Sequence, residues 1–171
     1  MSKKPFLTVR EIVLFGIFPA LITASQLLLS VLPNIHLTGM FVMLMTLLFR
    51  WKALFPLYVY VFLEGVVQGF HPWWIPYLYV WTVLWALTML LPKRLPDGVA
   101  AVCYCALGLM HGLFFEVLWI PFYMTFEGLT FDMALVRLAY GVGFSVTHGV
   151  GNVVSCTLAI PLIRLVRRLE S

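Results

Sequence analysis

The sequence predicts an all-α membrane protein: a six-transmembrane-helix bundle with its N- and C-termini cytoplasmic. Three observations lead there. First, 63% of the 171 residues are hydrophobic and 11% are charged, whereas soluble domains are about half apolar and about a quarter charged. A chain this small cannot hide so much apolar surface, so lipid must cover part of it. Second, the apolar residues fall in runs near the roughly 20 residues that cross a bilayer. Third, the basic residues form short clusters between those runs.

The elements follow in order as one membrane domain, 1–171. The first span covers about 11–32 and stops at Pro33-Asn34. The second, about 37–49, is short and stops at Arg50-Trp51-Lys52, which predicts a tilted helix or one partly buried by its neighbours. The third covers about 53–70 and ends at His71-Pro72. The fourth covers about 73–91 and ends at Pro92-Lys93-Arg94. The fifth covers about 98–122 and the sixth about 143–165. Between these last two, Tyr123–Val142 reads as an external loop with a short interfacial helix over 131–140, or as the start of a long, bent sixth helix.

Charge fixes the orientation. Lys3, Lys4 and Arg10 precede the first span, Arg50 and Lys52 follow the second, and Lys93 and Arg94 follow the fourth. Arg164, Arg167 and Arg168 close the sixth. Six spans put all of them on one side and leave only Arg137 on the other, so the positive-inside rule places that side, with both termini, in the cytoplasm. The net charge of +4 and pI of 9.1 are therefore topological, and no nucleic-acid partner is expected. Cys103, Cys105 and Cys156 read as small buried hydrophobes, an odd number without metal-ligand spacing.

Ionisable residues within spans are costly and point to function. Glu64, Gln68 and His71 share one face of the third span. Trp74, Leu78, Trp81 and Trp85 form a stripe on the fourth, flanked by Tyr77. On the fifth, Gly108, Gly112, Glu116 and Trp119 share a face with His111 beside it; on the sixth, His148, Asn152 and Ser155 align. Most of these polar groups fall in the outer half of the expected bilayer, which predicts one pocket open to the outside. Carboxylates among tryptophans suit a cationic or hydrogen-bonding heteroaromatic ligand. Blander readings compete. Trp73 and Tyr79 fit an interfacial aromatic belt, and His111 fits a hydrogen bond between helices.

Several activities lack their motifs. The sequence holds neither a G-x-x-x-x-G-K-[ST] loop nor H-E-x-x-H. Ser145 and His148 have no nucleophile elbow and no third orienting group, so no catalytic residue, metal or cofactor is expected. Gly16, Ala20 and Ala24 repeat every four residues, a spacing that lets another helix approach closely.

Together these residues resemble a family. The Gly16-x-x-x-Ala20-x-x-x-Ala24 track, the turn Leu32-Pro33-Asn34-Ile35, the block Trp73-Trp74-Ile75-Pro76-Tyr77-Leu78-Tyr79-Val80-Trp81-Thr82 and the stretch Phe144-Ser145-Val146-Thr147-His148-Gly149-Val150-Gly151-Asn152 are similar to the S component of energy-coupling factor (ECF) vitamin transporters. The resemblance implies a non-enzymatic binding subunit that captures a vitamin or related micronutrient outside the cell. It implies docking onto a transmembrane coupling subunit driven by two ATPase subunits, with the small-residue track as the docking face and the ligand site in the outer half. The expected ligand contacts are Glu64, Gln68, His71, Trp74, Trp81, Trp85, Glu116, His148 and Asn152. Thiamine-like, pyridoxine-like, pteridine and queuine-like ligands stay open. The size and hydropathy are also similar to the rod shape-determining scaffold MreD, which has no need of clustered membrane carboxylates and histidines.

Overall fold

A computed structural model describes residues 6–32, 34–92 and 95–170. Lys3, Lys4, Pro33, Lys93 and Arg94, and the side chain of Arg167, lie outside the described set. The described residues are helical, with no strand among them: α1 (Val9–Leu28), α2 (Thr38–Phe49), a single 3-10 turn at Arg50–Ala53, α3 (Leu54–Gln68), α4 (Trp74–Met89), α5 (Asp97–Leu113), α6 (Phe115–Thr125), α7 (Phe131–Cys156) and α8 (Ala159–Glu170).

By length and composition, three helical stretches can cross a membrane: Val9–Leu28, Thr38–Gln68 and Asp97–Thr125. A fourth results if Phe131–Cys156 and Ala159–Val166, bent by 41°, act as one. The Thr38–Gln68 stretch is not straight. Thr38 Oγ1 lies 3.5 Å from the Tyr60 hydroxyl, whereas 22 residues of continuous helix would separate them by about 33 Å. The chain therefore reverses between α2 and α3. It does so at Arg50, whose φ of 55° is unusual for a residue with a side chain. Arg50 Nη2 donates to Met89 O at 2.8 Å, and Arg50 O accepts from Trp85 Nε1 at 3.2 Å, so the end of α4 clasps the reversal.

Contacts fix the winding. Gln26 meets Tyr60 and Thr38, and Phe15 meets Phe49, so α2 runs antiparallel to α1. Tyr58 donates to Leu78 O and Trp74 Nε1 to Val61 O, so α4 runs antiparallel to α3. Tyr123 beneath Arg137, Gly112 against Gly149 and Asp97 paired with Arg164 align α5–α6 against α7–α8 along their whole length. Among the described residues α1 to α4 thus run antiparallel each to the next, and α5–α6 lies antiparallel to α7–α8. The Glu11–Lys52 pair (2.6 Å), the Arg50 clasp and the Asp97–Arg164 pair gather at one end. Arg137 lies at the other, paired with Glu127 at 2.6 Å.

Local chemistry accounts for the elements. Thr8 caps α1 in a reciprocal box with Glu11, each backbone N–H bonded by the other's side chain. α2 is apolar all round, and every residue from Thr38 to Thr46 is buried. Such a helix belongs in the middle of a bundle, which is how so short a segment is accommodated. Outward faces of the surrounding helices expose Ile12, Val13, Ile17, Phe62, Val66, Val102, Phe144 and Val154, a surface suited to lipid rather than water.

In the last third the second of the two expected readings, a long and bent final helix, is the one observed. Residues 131–142 form neither a loop nor a separate interfacial helix. They are the opening turns of α7, capped by the Thr130 side chain and continuous to Cys156. No proline interrupts this stretch. Gly141 fits against the Glu116 side chain and Gly149 against Leu109, so these glycines serve close helix packing. The expected sixth span, 143–165, is accordingly a longer helix that starts earlier and bends between Cys156 and Ala159. The expected fifth span is interrupted at Phe114 and reaches Thr125.

Candidate functional site

At the end of the bundle opposite Arg50 and Arg164, the last turn of α1 and the segment after it arch over the end of α3, the starts of α4 and α6 and the middle of α7. They enclose a cavity of about 230 Å3, lined by Gln26, Ser30, Asn34, His36, Gln68, Tyr77, Phe115 and His148 together with Leu27, Leu29, Leu32 and Ile35. Pockets for drug-sized ligands run about 300–1,000 Å3, so this one suits a molecule of one or two rings. Among the described residues, no lysine, arginine, aspartate or glutamate lines it.

Internal hydrogen bonds set the polarity of the lining. Gln26 Oε1 accepts from Tyr60 (2.8 Å) and from Thr38 (3.5 Å), which leaves its amide N–H groups for the cavity. Gln68 Nε2 donates to Glu64 Oε2, which leaves the Gln68 carbonyl. Ser30 Oγ donates to Leu27 O at 2.8 Å and so turns lone pairs inward. The walls therefore present donors and acceptors without a charge.

Behind His36 and Phe115 lies a compact cluster of rings. His36 and His148 are 4.5 Å apart by centroids, Phe115 and His148 4.4 Å, and Trp81 and His111 5.5 Å. Trp81, His111 and His148 are almost wholly buried. Four nitrogens here have no hydrogen-bond partner: His36 Nδ1, Trp81 Nε1, His111 Nδ1 and His148 Nε2. Buried polar atoms without partners are uncommon, and each calls for an explanation. The other nitrogen of His111 sits 3.2 Å from Val80 O. A carbonyl only accepts, so Nε2 carries the proton and Nδ1 is an acceptor. One turn along α7 from His148, Asn152 Nδ2 donates to Gly108 O at 3.1 Å, and its Oδ1 has no partner among the described residues. Burial drives the pKa of His36, on the connecting segment, down to about 4, with the nearby His111 a second, smaller cause. Its ring is therefore neutral near pH 7. No group of three or more His, Cys, Asp or Glu among the described residues is arranged to hold a metal ion.

The expected contacts fall into three sets. Gln68 and His148 line the cavity. Trp81, Asn152 and Glu64 are fully buried close behind it, and Glu64 Oε1 lacks a partner. The other four lie elsewhere. His71 is exposed beyond the end of α3 and packs beside Gly69. Trp74 donates to Val61 O at 2.7 Å and braces α3 against α4. Trp85 sits at the arginine end, bound to Arg50 O. Glu116 accepts from the Tyr123 hydroxyl at 3.0 Å in the seam between α6 and α7. Helical spacing puts these four on plausible faces, but depth along the bundle and the partner across the seam decide what a face meets. Sequence reasoning passed over Gln26 and His36, gave Tyr77 only a place beside the tryptophan stripe, and favoured a packing role for His111. The one available signal was the polar residues Gln26, Ser30, Asn34 and His36 punctuating the end of the first apolar run.

Gly16, Ala20 and Ala24 lie on the outer face of α1, and a Cβ placed on Gly16 would meet nothing within 4 Å. Compared with known proteins, the chain matches no protein-family model, no curated protein and no solved structure.

Proposed function

We propose that this chain is the substrate-binding S component of an ECF-type importer in a bacterial plasma membrane. It takes a vitamin-like heteroaromatic molecule from outside and hands it to a coupling subunit driven by two ATPases. The observation that carries this reading is the uncharged polar cavity at one end of an otherwise greasy bundle, opposite the arginine-rich end. With six passes crossing the bilayer and the arginines inside, that cavity faces the exterior. A scaffold of the MreD type has no use for such a hollow, and the site lacks the activated nucleophile that an intramembrane hydrolase needs.

The outer face of α1 supports the second half of the reading. Gly16, Ala20 and Ala24 form a smooth, unpartnered track that a second helix can approach closely. The test is capture of the coupling subunit. Tagged chain co-expressed with the coupling and ATPase subunits of its own genome is expected to pull them down in lipid nanodiscs. Gly16→Leu with Ala20→Leu is expected to abolish that capture while the variant keeps its wild-type melting temperature. Failure of the wild-type chain to retain any coupling subunit overturns the assignment.

A further inference from the structure

We infer that Trp81, His111 and His148 form the floor of the site, and that this floor takes the amide- or lactam-type edge of an uncharged planar ligand once the His36 ring swings aside. The inference deepens the proposed binding function and rests on it.

Three observations lead to it. The first is hydrogen-bond polarity. Trp81 Nε1–H can only donate, and it has no acceptor. His111 Nδ1 can only accept, because its Nε2 proton is committed to Val80 O. A donor and an acceptor on neighbouring rings, centroids 5.5 Å apart, call for a ligand carrying C=O beside N–H. His148 Nε2, with no partner, adds a third point of either polarity. Asn152 Oδ1, also unpartnered, is a further acceptor on α7 one helical turn beyond His148.

The second is charge. Among the described residues, the cavity wall holds no ionic side chain. Glu64, behind the wall, does not line the cavity; one of its oxygens is engaged by Gln68 and the other has no partner among the described residues. A full charge on the ligand would enter without a counter-ion, at a large desolvation cost. An uncharged ligand meets no such barrier.

The third is access. His36 and Phe115 line the cavity and also touch the floor, since His36 contacts Trp81 and His148, and Phe115 contacts Trp81, His111 and His148. Phe115 is held within a helix, whereas His36 is carried on the irregular segment between α1 and α2. His36 is the ring that can move without unwinding a helix.

The test uses four compounds with one ring system: isoquinolin-1-one, isoquinoline, isoquinoline-1-carboxylate and 2-methylisoquinolinium. They are titrated calorimetrically into the full chain in neutral-lipid nanodiscs at pH 7.5. Isoquinolin-1-one is expected to bind, with the other three at least about tenfold weaker, the cost of one unmade hydrogen bond or more. Trp81→Phe removes only the N–H and is expected to weaken isoquinolin-1-one about tenfold while leaving isoquinoline unchanged. Circular dichroism and size exclusion confirm that the variant is folded. Absence of isoquinolin-1-one binding at millimolar concentration overturns the inference and leaves the orphan nitrogens to trapped water. Equal binding of a charged analogue also overturns it. The importer assignment is judged separately, by coupling-subunit capture, so the two can fail independently.

Discussion

The imidazole of His36, on the connection between α1 and α2, lies 4.5 Å ring to ring from the imidazole of His148 in the middle of α7. One ring belongs to the segment that covers the cavity and the other to the wall, so this contact is where cover and bundle meet.

Burial of His36 at that junction makes stability depend on pH. Burial lowers the His36 pKa from 6.5 to about 4, aided by His111. The group binds its proton less readily when folded than when unfolded, so its stabilising effect is complete above pH 6.5. It is lost as pH falls from 6.5 towards 4, by up to about 1.4 kcal/mol per unit. Melting temperatures in nanodiscs between pH 7.5 and 4.5 are expected to fall across this window. His36→Gln is expected to flatten part of the slope, and an unchanged slope contradicts the burial of this ring.

The α5–α7 seam sets a second expectation. A Cβ on Gly112 would sit 2.5 Å from both Cα and N of Gly149, backbone that cannot yield cheaply. Gly112→Ala is expected to cost about 1–3 kcal/mol. Gly98→Ala, in the same helix but facing open space, is expected to be neutral or mildly stabilising, since alanine favours helix over glycine by up to about 1 kcal/mol. Thermal unfolding of the pair reads the difference directly.

Arg50 separates side chain from backbone. Its φ of 55° favours glycine, while its guanidinium holds Met89 O. Arg50→Ala loses the hydrogen bond and keeps the strain, and is expected to destabilise by about 1–2 kcal/mol. Arg50→Gly loses the same bond but relieves the backbone, and is expected to unfold at a higher temperature than the alanine variant. The reverse order would remove the turn from this account.

Glu116 and Trp85 were chosen from sequence as ligand contacts, yet their hydrogen bonds go to Tyr123 and to Arg50 O. Glu116→Gln and Trp85→Phe are expected to leave isoquinolin-1-one affinity within about twofold of wild type while each costs stability on the order of 1 kcal/mol. Gln68→Leu, which strips a polar group from the cavity wall, is expected to weaken binding about tenfold. Calorimetry on the three variants decides which residues face the ligand.

The sequence by itself determined that the chain is helical and apolar, where its basic clusters lie, and that the second helix is short and needs cover. Those properties depend on composition and on spacing along one helix, which are local quantities. It also singled out Gln68 and His148, because polar residues inside apolar runs are rare enough to stand out; that both line one cavity is a property of the fold. Tertiary structure decided the rest. Only packing shows that Trp85 lies at the arginine end while Trp81, one turn away, has its nitrogen stranded beside three histidines. Only the antiparallel seam shows that Gly141 and Gly149 continue α7 rather than end it, since a glycine breaks a helix or admits a neighbour according to what lies across from it. His36 drew no notice in the sequence because nothing local marks a loop histidine. Its importance comes from folding back onto α4 and α7, a long-range contact that no periodicity encodes.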